Sequence, residues 1–365
     1  MTAPIRILVV EDSLTVRRRL CDVLAADPAL EVVGEAVDGK QAIALCQSLR
    51  PDVVTMDMML PVMSGLAATE YIMAHCPTPI LIVSSSTNRG ELFKTYEALA
   101  AGAVDVLEKP LANQAEGTWE RHFIATVKLI SRIRVITHLR ARLGVPGPAR
   151  LESRAVPSLP SSLLASLARR RYEIVVIGAS TGGPAAILEI LRALPSSFPL
   201  PILFVLHIGE PFGVAFAEWL DSQTGMRVAY ARDGDAVNAK VGQVVMAPPE
   251  SHMVVRGRRL CLTQDPPRHS CRPSVDSLFE SVGREYGPAA IACLLTGMGR
   301  DGAAGLLAVR QSGGLTIAQD EATSVVYGMP REAMLLGAVE RELPLAQIGP
   351  GLSAIAAHNG DGRTP

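Results

Sequence analysis

Residues 174–184 read IVVIGASTGGP, in which an apolar run leads directly into a glycine-rich turn and then Pro184. Proline is favoured in the first turn of a helix, so the stretch predicts strand, tight turn and helix in succession. Later apolar runs are spaced widely enough for a helix between them, and they span 202–206, 244–247, 291–295 and 315–318. This alternation predicts a doubly wound, mostly parallel α/β sheet, with a possible hairpin at 254–262.

The N-terminal part of the chain shows the same alternation. Strands are predicted at 5–10, 31–36, 53–57, 80–84 and 104–107, with helices between them such as 14–26 and 39–49. An apolar stripe marks a final helix, and it comprises Trp119, Phe123, Val127, Ile130 and Ile133. Five strand–helix units predict a second doubly wound parallel sheet, so the fold class is α/β twice over.

Charge divides the 365 residues into three segments. Residues 1–127 carry a net charge of −6, residues 128–171 carry +9, and residues 172–365 carry −4. The basic segment also contains four prolines and several serines, which is typical of a linker. We therefore predict a domain at 1–127, a helix extension and basic linker at 128–170, a second domain at 171–357 and a polar tail at 358–365. The linker could be a solvated tether or a docking surface for an acidic partner.

Overall composition excludes several classes of protein. A net charge of −1 and only 4% aromatic residues give no reason to expect a nucleic-acid partner. The six cysteines form no C-x-x-C pair, so reduced thiols in a cytosol are expected. The first apolar run is too short for a signal peptide or an anchor, and no run reaches the roughly 18 residues that would predict a membrane-spanning helix. We expect a cytoplasmic protein without membrane insertion.

Five polar residues follow strands of the first predicted sheet: Glu11, Asp12, Asp57, Ser84 and Lys109. The carboxyl ends of parallel strands meet at one edge, so these side chains are expected to lie together. Three converging carboxylates repel one another unless a cation is bound, and a few hard oxygen ligands suit Mg²⁺. A metal and a lysine at this edge would also neutralise a phosphoryl group.

The stretches ILVVEDS, MDMMLPVMSG, ILIVSSS and LEKP resemble the receiver domain of two-component response regulators, over about residues 4–125. The resemblance implies that a chemotaxis-type histidine kinase phosphorylates Asp57. It implies Mg²⁺ ligands at Glu11, Asp12, Asp57 and the Met59 carbonyl, and phosphoryl binding by Ser84 and Lys109. Many receivers have an aromatic residue where this chain has Val106, so the resemblance does not imply an aromatic switch here. It implies phosphorylation all the same.

The turn at 178–182 fits G-x-S-x-G, which exposes a nucleophilic serine, here Ser180, beside a helix N-terminus. A phosphate-cradling loop and a plain turn remain alternatives for the same pattern. His207 follows the apolar strand ILFVL at the same sheet edge and is the candidate base, with His252 as the second candidate. Asp301, in a glycine-rich loop after the strand at 291–295, is the candidate acid. A helix cap is its simpler role, and Asp276 and Asp235 are alternative acids.

The stretches VVIGASTGGPAAI, RPSVDSLFESV, LLTGMGRDGAAGL and AQDEATSVVYGMPREA resemble the C-terminal domain of the CheB chemotaxis receptor methylesterases, over about residues 171–350. The resemblance implies Ser180 as nucleophile, His207 as base and Asp301 as the acid that orients it. It also implies oxyanion stabilisation around Thr181 and Met298, and no cofactor for ester hydrolysis. The family commonly has Gln-His-Met around the histidine, whereas this chain has Leu206-His207-Ile208.

Together these patterns predict a phosphorylation-activated serine esterase that hydrolyses glutamate methyl esters on chemoreceptor cytoplasmic helices and also deamidates glutamines. The main alternative is a catalytically weak relative that acts as a binding module or phosphate sink. A DNA-binding output would need a basic helix-turn-helix, and the third segment is acidic and rich in strands. A nucleotide-dependent enzyme is disfavoured because no G-x-G-x-x-G is present.

Overall fold

The computed structural model describes residues 3–85, 88–110, 117–133, 135, 170–209 and 211–358. The chain divides into two compact units, Met1–Arg150 and Leu151–Pro365. Most of the predicted linker, residues 136–169, and the end of the chain from 359 lie outside the described residues, so the predicted boundaries there stay predictions. Among the described helices, none is long and apolar enough to cross a membrane.

The first unit is a five-stranded parallel sheet with the strand order β2-β1-β3-β4-β5. Its elements are β1 Ile5–Val10, α1 Leu14–Ala25, β2 Leu30–Ala36, α2 Gly39–Leu49, β3 Val53–Met56, α3 Gly65–His75, β4 Ile80–Ser84, α4 Arg89–Ala100, β5 Asp105–Glu108 and α5 Thr118–Ile130. The predicted fold class is confirmed, with strand ends displaced by one residue in β2, β3 and β5. On α5 the predicted stripe is buried from Trp119 to Ile130, whereas Ile133 lies beyond the helix.

The second unit contains a seven-stranded parallel sheet with the order β14-β13-β12-β6-β7-β9-β8, and a separate antiparallel hairpin, β10-β11. The strands are β6 Ile174–Ala179, β7 Ile202–Leu206, β8 Arg227–Tyr230, β9 Gln243–Met246, β10 His252–Arg256, β11 Arg259–Thr263, β12 Ala290–Leu294, β13 Leu315–Gln319 and β14 Arg341–Leu343. The helices are α6 Gly183–Ala193, α7 Phe216–Gln223, α8 Val275–Tyr286, α9 Ala303–Gln311, α10 Met329–Leu335 and α11 Leu345–His358.

Most of the second sheet follows the predicted pattern. The predicted strands and the hairpin are present, with ends shifted by one or two residues. The two edge strands, β8 and β14, were not predicted, because they are only four and three residues long and lack a continuous apolar run. The last helix also includes His358, which was predicted to open a polar tail.

The order of the strands positions the site. β6 lies in the middle of the sheet between β12 and β7, and the chain builds outward from it in both directions. Ligands in open α/β sheets bind beyond the carboxyl ends of the strands at such a reversal. The buried face of α8 packs here, with Val275, Leu278 and Phe279 completely inaccessible to solvent.

Candidate active site and candidate metal centre

Ser180 occupies a tightly built turn between β6 and α6. A methyl group on Gly178 would lie 2.2 Å from Val275 Cγ1, and Gly182 adopts a φ of 77°, which favours glycine. The Ser180 N–H donates to the Thr296 carbonyl at 3.0 Å, and the Gly183 N–H donates back to the Ser180 carbonyl at 2.6 Å. These contacts explain why glycine is needed on both sides of the serine and hold its backbone in one conformation.

The second and third predicted residues meet directly. His207 Nε2 lies 2.9 Å from Asp301 Oδ2, and the His207 N–H donates to the Ala179 carbonyl at 3.0 Å beside the serine turn. Ser180, His207 and Asp301 follow β6, β7 and β12, which are neighbours in the sheet. Within the described residues, the Ser180 hydroxyl makes no hydrogen bond, so the structure joins the histidine to the acid without yet joining the serine to the histidine.

Asp301 sits in a cradle of donors at the N-terminus of α8. The Ser274 hydroxyl donates to Oδ1 at 2.7 Å, the Val275 N–H to Oδ2 at 2.7 Å, and the Asp276 N–H to Oδ1 at 3.2 Å. Burial opposes ionisation of Asp301, but hydrogen bonds from His207 and Ser274 outweigh it and lower the pKa of the carboxyl. The simpler prediction of a helix cap is thus also met, on α8 rather than on the helix that follows Asp301.

Ser274 supports Asp301, and the sequence did not predict this role. It is fully buried and caps α8, and its hydroxyl accepts from the Ser277 N–H at 3.3 Å while donating to Asp301. A serine three residues before a polar residue at a helix start is a recognisable cap signal in the RPSVDS stretch. That signal predicts the cap, but it carries no information that the capping hydroxyl also faces Asp301.

The alternative acids have other partners. Asp276 accepts from the Gly302 and Gly305 N–H groups at 2.9 and 2.6 Å, so it caps α9, and burial raises the pKa of its carboxyl. Asp235 pairs with Lys240 at 2.7 Å. Neither carboxylate contacts His207, so Asp301 is the acid that the geometry favours.

The alternative base also has a structural role. His252 lies in β10 and is 1% exposed. Its Nδ1 accepts from the Ser274 N–H at 3.1 Å, and its Nε2 lies 3.2 Å from the Pro266 carbonyl. Both ring nitrogens are therefore engaged with backbone groups, so of the two predicted bases His207 is the one that contacts Asp301.

His207 has a second contact that the sequence did not indicate. Its Nδ1 lies 3.7 Å from Cys271 Sγ, on the side of the ring away from Asp301. Burial by itself disfavours the imidazolium, but the contacts with Asp301 and Cys271 outweigh it and raise the pKa of His207 to about 9. Cys271 precedes α8 by four residues in a loop without apolar periodicity, so only the folded chain reveals this neighbour.

A groove of about 620 Å³ adjoins the histidine–acid pair, and its walls include Cys271, Met298, Arg300, Asp301 and Arg331. The Met298 side chain is 55% exposed in this groove. Among the residues that the structure describes, the Met298 N–H has no hydrogen-bond partner.

Thr181, the other residue predicted to stabilise an oxyanion, is buried directly after the serine. Its carbonyl accepts from the Thr296 hydroxyl at 3.0 Å, so the residue is tied to the loop that follows β12. The same loop carries Met298 and Asp301. Thr296 bonds to both Ser180 and Thr181, so these two contacts fix the position of the loop relative to the serine turn.

The acidic cluster of the first unit forms as predicted. Lys109 Nζ lies 2.8 Å from Glu11 Oε2 and 2.9 Å from Asp57 Oδ2, at the carboxyl ends of β1, β3 and β5. Burial, together with repulsion from Asp57, raises the pKa of Glu11 to about 7 despite the lysine. Glu11 and Asp57 are both buried and share the single positive charge of Lys109, so this charge does not neutralise both carboxylates.

The donor set of this cluster fits Mg²⁺. Ligand oxygens of Glu11, Asp12 and Asp57 lie within 4.8 Å of one another. Asp57 Oδ1 is buried and has no hydrogen-bond partner among the described residues. A set of hard oxygen atoms with one unpaired buried carboxylate oxygen is what a magnesium ion binds.

Two further predicted residues flank this cluster. The buried Ser84 hydroxyl donates to the Ser85 carbonyl at 3.3 Å, and the Ser84 carbonyl accepts from the Lys109 N–H at 3.0 Å. The Met59 side chain is 43% exposed, and its sulfur lies 3.8 Å from Lys94 Nζ. The role of the Met59 carbonyl as a ligand stays a prediction.

Comparison with known proteins agrees with the two-domain organisation. The family model described as CheB methylesterase matches residues 175–352, and the response regulator receiver domain matches residues 7–116. A protein-glutamate methylesterase/protein-glutamine glutaminase 2 of Anaeromyxobacter dehalogenans is 43% identical over 345 residues, which is 94% of this chain and 95% of that protein. The corresponding protein of Nitrosospira multiformis is 43% identical over 360 residues, 98% of each chain. The solved catalytic domain of Thermotoga maritima CheB methylesterase is 36% identical and covers 50% of this chain and 97% of its own, with a TM-score of 0.48.

Proposed function

This chain belongs to the CheB methylesterase family with an N-terminal receiver domain, and from that premise we propose that it is a phosphorylation-activated serine esterase. Its substrates are glutamate methyl esters on the cytoplasmic helices of methyl-accepting chemoreceptors, so it acts in the cytoplasm. The observation that carries the proposal is the convergence of Ser180, His207 and Asp301 at the ends of three adjacent strands.

Ser180 is the nucleophile in the proposed mechanism. Because Asp301 holds Nε2 of His207, Nδ1 is the nitrogen left to accept the serine proton. Catalytic hydrogen bonds in unliganded enzymes are often incomplete and tighten when substrate binds, which fits a serine hydroxyl without a partner. Asp301 fixes the tautomer of His207 and stabilises the imidazolium that forms.

The ester carbonyl becomes tetrahedral when Ser180 attacks it. The Thr181 and Met298 N–H groups are the proposed donors to the resulting oxyanion, and the Met298 N–H is available for that role. His207 then gives its proton to the departing methanol, leaving an acyl-enzyme. A water molecule deprotonated by the same nitrogen hydrolyses the acyl-enzyme and releases the glutamate.

Deamidation of glutamine follows the same route. A side-chain amide forms the same tetrahedral intermediate on Ser180, and ammonia leaves in place of methanol. His207 gives the leaving nitrogen the proton that it took from Ser180, and Asp301 stabilises the imidazolium that carries this proton. Both activities of the relatives are therefore compatible with one set of side chains.

The receiver provides the proposed control. Glu11, Asp12 and Asp57, with the Met59 carbonyl, would hold Mg²⁺, which supplies charge neutralisation to an incoming phosphoryl group. Asp57 accepts that group from a chemotaxis-type histidine kinase, and Lys109 and Ser84 bind the phosphoryl oxygens. Lys109 already bridges Glu11 and Asp57, so adding a phosphoryl group must rearrange this contact.

Methanol release from a methylated receptor fragment tests the esterase. Ser180→Ala should lose at least roughly three orders of magnitude in rate, because the hydroxyl that forms the acyl-enzyme is removed. Ser196→Ala, an exposed serine outside the site, is the matched control. A wild-type protein that accepts phosphate but releases no methanol would instead favour the alternative of a binding module or phosphate sink.

Labelling with a small phosphodonor tests the receiver. Asp57→Asn should abolish Mg²⁺-dependent labelling, while Asp22→Asn, which changes an exposed acid on α1, should not. The same phosphodonor should raise methanol release by the wild type and leave Asp57→Asn unchanged. Full labelling of the Asp57→Asn protein would contradict the assignment.

A further inference from the structure

We propose that Cys271 is a second nucleophile in the groove, a thiol deprotonated by His207 that reacts with small disulfides, and that the resulting mixed disulfide switches the esterase off. The reactivity of the thiol stands on the geometry alone. The loss of activity rests on the proposed function.

The first argument is the alignment of three side chains. Cys271 Sγ, the imidazole of His207 and the carboxylate of Asp301 form a continuous chain, with contacts of 3.7 Å at Nδ1 and 2.9 Å at Nε2. This is the arrangement in which an imidazole removes the proton from a thiol and a carboxylate stabilises the imidazolium. The contact with Cys271 is also one of the causes of the raised pKa of His207.

The second argument is that the thiol is held in place and remains accessible. The Cys271 N–H and carbonyl both hydrogen-bond to the backbone of Arg268, at 2.8 and 3.1 Å. Arg268 in turn makes two bonds of 2.8 Å to the Glu280 carboxylate on α8. Cys271 is half-buried and forms part of the groove wall, so the groove gives a reagent a route to this residue.

The other five cysteines lack this combination. Cys46 and Cys76 are buried beside each other, and Cys293 is fully buried with a pKa raised to about 12 by desolvation. Cys21 is half-buried, but burial raises its pKa to about 11. Cys261 on β11 is half-buried as Cys271 is. Across the described part of the chain, Cys271 is the one cysteine in contact with an imidazole.

The reaction is a thiol–disulfide exchange with a low-molecular-weight disulfide, R–S–S–R. The neutral form of His207 takes the Cys271 proton at Nδ1, and the thiolate attacks one sulfur of the reagent. The S–S bond of the reagent breaks as the new Cys271 S–S bond forms, and the released RS⁻ takes the proton from the imidazolium. Cys271 and one RS group end in a mixed disulfide, one RSH leaves, and an added thiol reverses the exchange.

The mixed disulfide at Cys271 should inhibit the esterase because it forms next to His207 Nδ1. In the proposed mechanism Nδ1 of His207 must accept the proton of Ser180, and the mixed disulfide places an R–S group against that nitrogen. The same group fills part of the 620 Å³ groove that adjoins the site. Base and substrate access are both obstructed, while Ser180 itself stays unmodified.

The test uses the full chain and an aromatic disulfide that releases a coloured thiol. Stopped-flow absorbance gives the rate, and peptide mass spectrometry identifies the cysteine. Cys271 should react roughly tenfold or more faster than Cys261, the matched half-buried thiol. His207→Gln should bring the rate down towards that of Cys261, and Asp301→Asn should lower it in part. Two results would overturn the proposal. One is a Cys271 that reacts no faster than Cys261 in the wild type, and the other is a Cys271 that reacts at the wild-type rate in both His207→Gln and Asp301→Asn.

Methanol release is then followed during labelling. The wild type should lose activity in proportion to the label and regain it with reductant, and Cys271→Ser protein should keep its own starting rate under the same treatment. Undiminished activity at full labelling would overturn the inhibitory half. Fast labelling of Cys271 in a wild type that never releases methanol would count against the proposed function while upholding the reactive thiol.

Discussion

Asp301→Asn separates the geometric role of Asp301 from its charge. The asparagine oxygen can still accept from His207 Nε2 and the Val275 N–H, which share Oδ2 in the native protein. Its amide NH₂ then faces the Ser274 hydroxyl, which can turn to accept instead of donate, and the Asp276 N–H, whose 3.2 Å hydrogen bond is lost. The tautomer of His207 is therefore kept, and the loss is that of a negative charge beside the imidazolium.

The size of the effect comes from the pKa of His207, which stands at about 9 against an ordinary value of 6.5. That difference corresponds to about 3 kcal/mol of stabilisation of the imidazolium. Contact with Cys271 contributes part of it, so removing the Asp301 charge should cost the protonated transition state about 2–3 kcal/mol. The expected loss in kcat/KM is roughly 30- to 150-fold at pH values at which His207 of the free enzyme is neutral.

The pH dependence makes the test specific. Below about pH 9 the native His207 is mostly protonated and must lose its proton before it can act as a base, so the wild-type rate should rise with pH towards 9. In Asp301→Asn the pKa of His207 falls, so the rising limb should move to lower pH. The difference in kcat/KM between the wild type and Asp301→Asn is then largest above about pH 9 and becomes smaller towards neutral pH.

The assay is kcat/KM for methanol release from a methylated receptor fragment, measured from about pH 6 to 9.5 and corrected for spontaneous hydrolysis. Asp235→Asn, which changes an acid paired with Lys240 away from the site, is the control. Two results would refute the argument: the same rising limb in wild type and Asp301→Asn, or a loss that does not vary with pH.

Three further outcomes are expected. Gly178→Ala should lower the free energy of unfolding by about 1–3 kcal/mol, measured in urea, because the new methyl would overlap Val275, and an unchanged midpoint would contradict the packing. Ser274→Ala should lower the free energy of unfolding by about 1–2 kcal/mol and should also lower kcat. Ser277→Ala, a change in the same helix turn, should leave kcat intact. Equal effects of the two changes on kcat would show that Ser274 does not support Asp301. Chelation of Mg²⁺ should abolish labelling by a phosphodonor, and Glu11→Gln should weaken its Mg²⁺ dependence, so metal-independent labelling would argue against the proposed ligands.

The pattern of strands predicted more of the site than any single motif. Glu11, Asp57, Ser180 and His207 each come directly after a mostly apolar run, and only Glu108 separates Lys109 from the strand predicted at 104–107. Parallel strands present their carboxyl ends at one edge, so identifying the strands is enough to bring these residues together. That inference needs only local periodicity, so it holds although the strand ends were displaced by one or two residues.

The edge strands show where local pattern fails. β8 and β14 are short and partly exposed, and their pairing with β9 and β13 stabilises residues that carry little apolar signal of their own. Their formation depends on hydrogen bonds to a neighbouring strand already in place, a non-local contact that no window of sequence contains.

The immediate surroundings of His207 depended on the folded chain. The nitrogen that faces Asp301 is set by a residue 94 positions further along the chain. The donors that Ser274 and Val275 supply, and the thiol of Cys271 at Nδ1, come from the turn and helix start at 268–276, more than 60 residues beyond the histidine. This turn has no hydrophobic period, and its position is set by α8 packing on the sheet and by Asp301 and Asp276 capping α8 and α9. Periodicity records which face of an element is buried, whereas the approach of a loop to a side chain is set by packing between distant elements, and so the chemistry around the imidazole was decided only by tertiary structure.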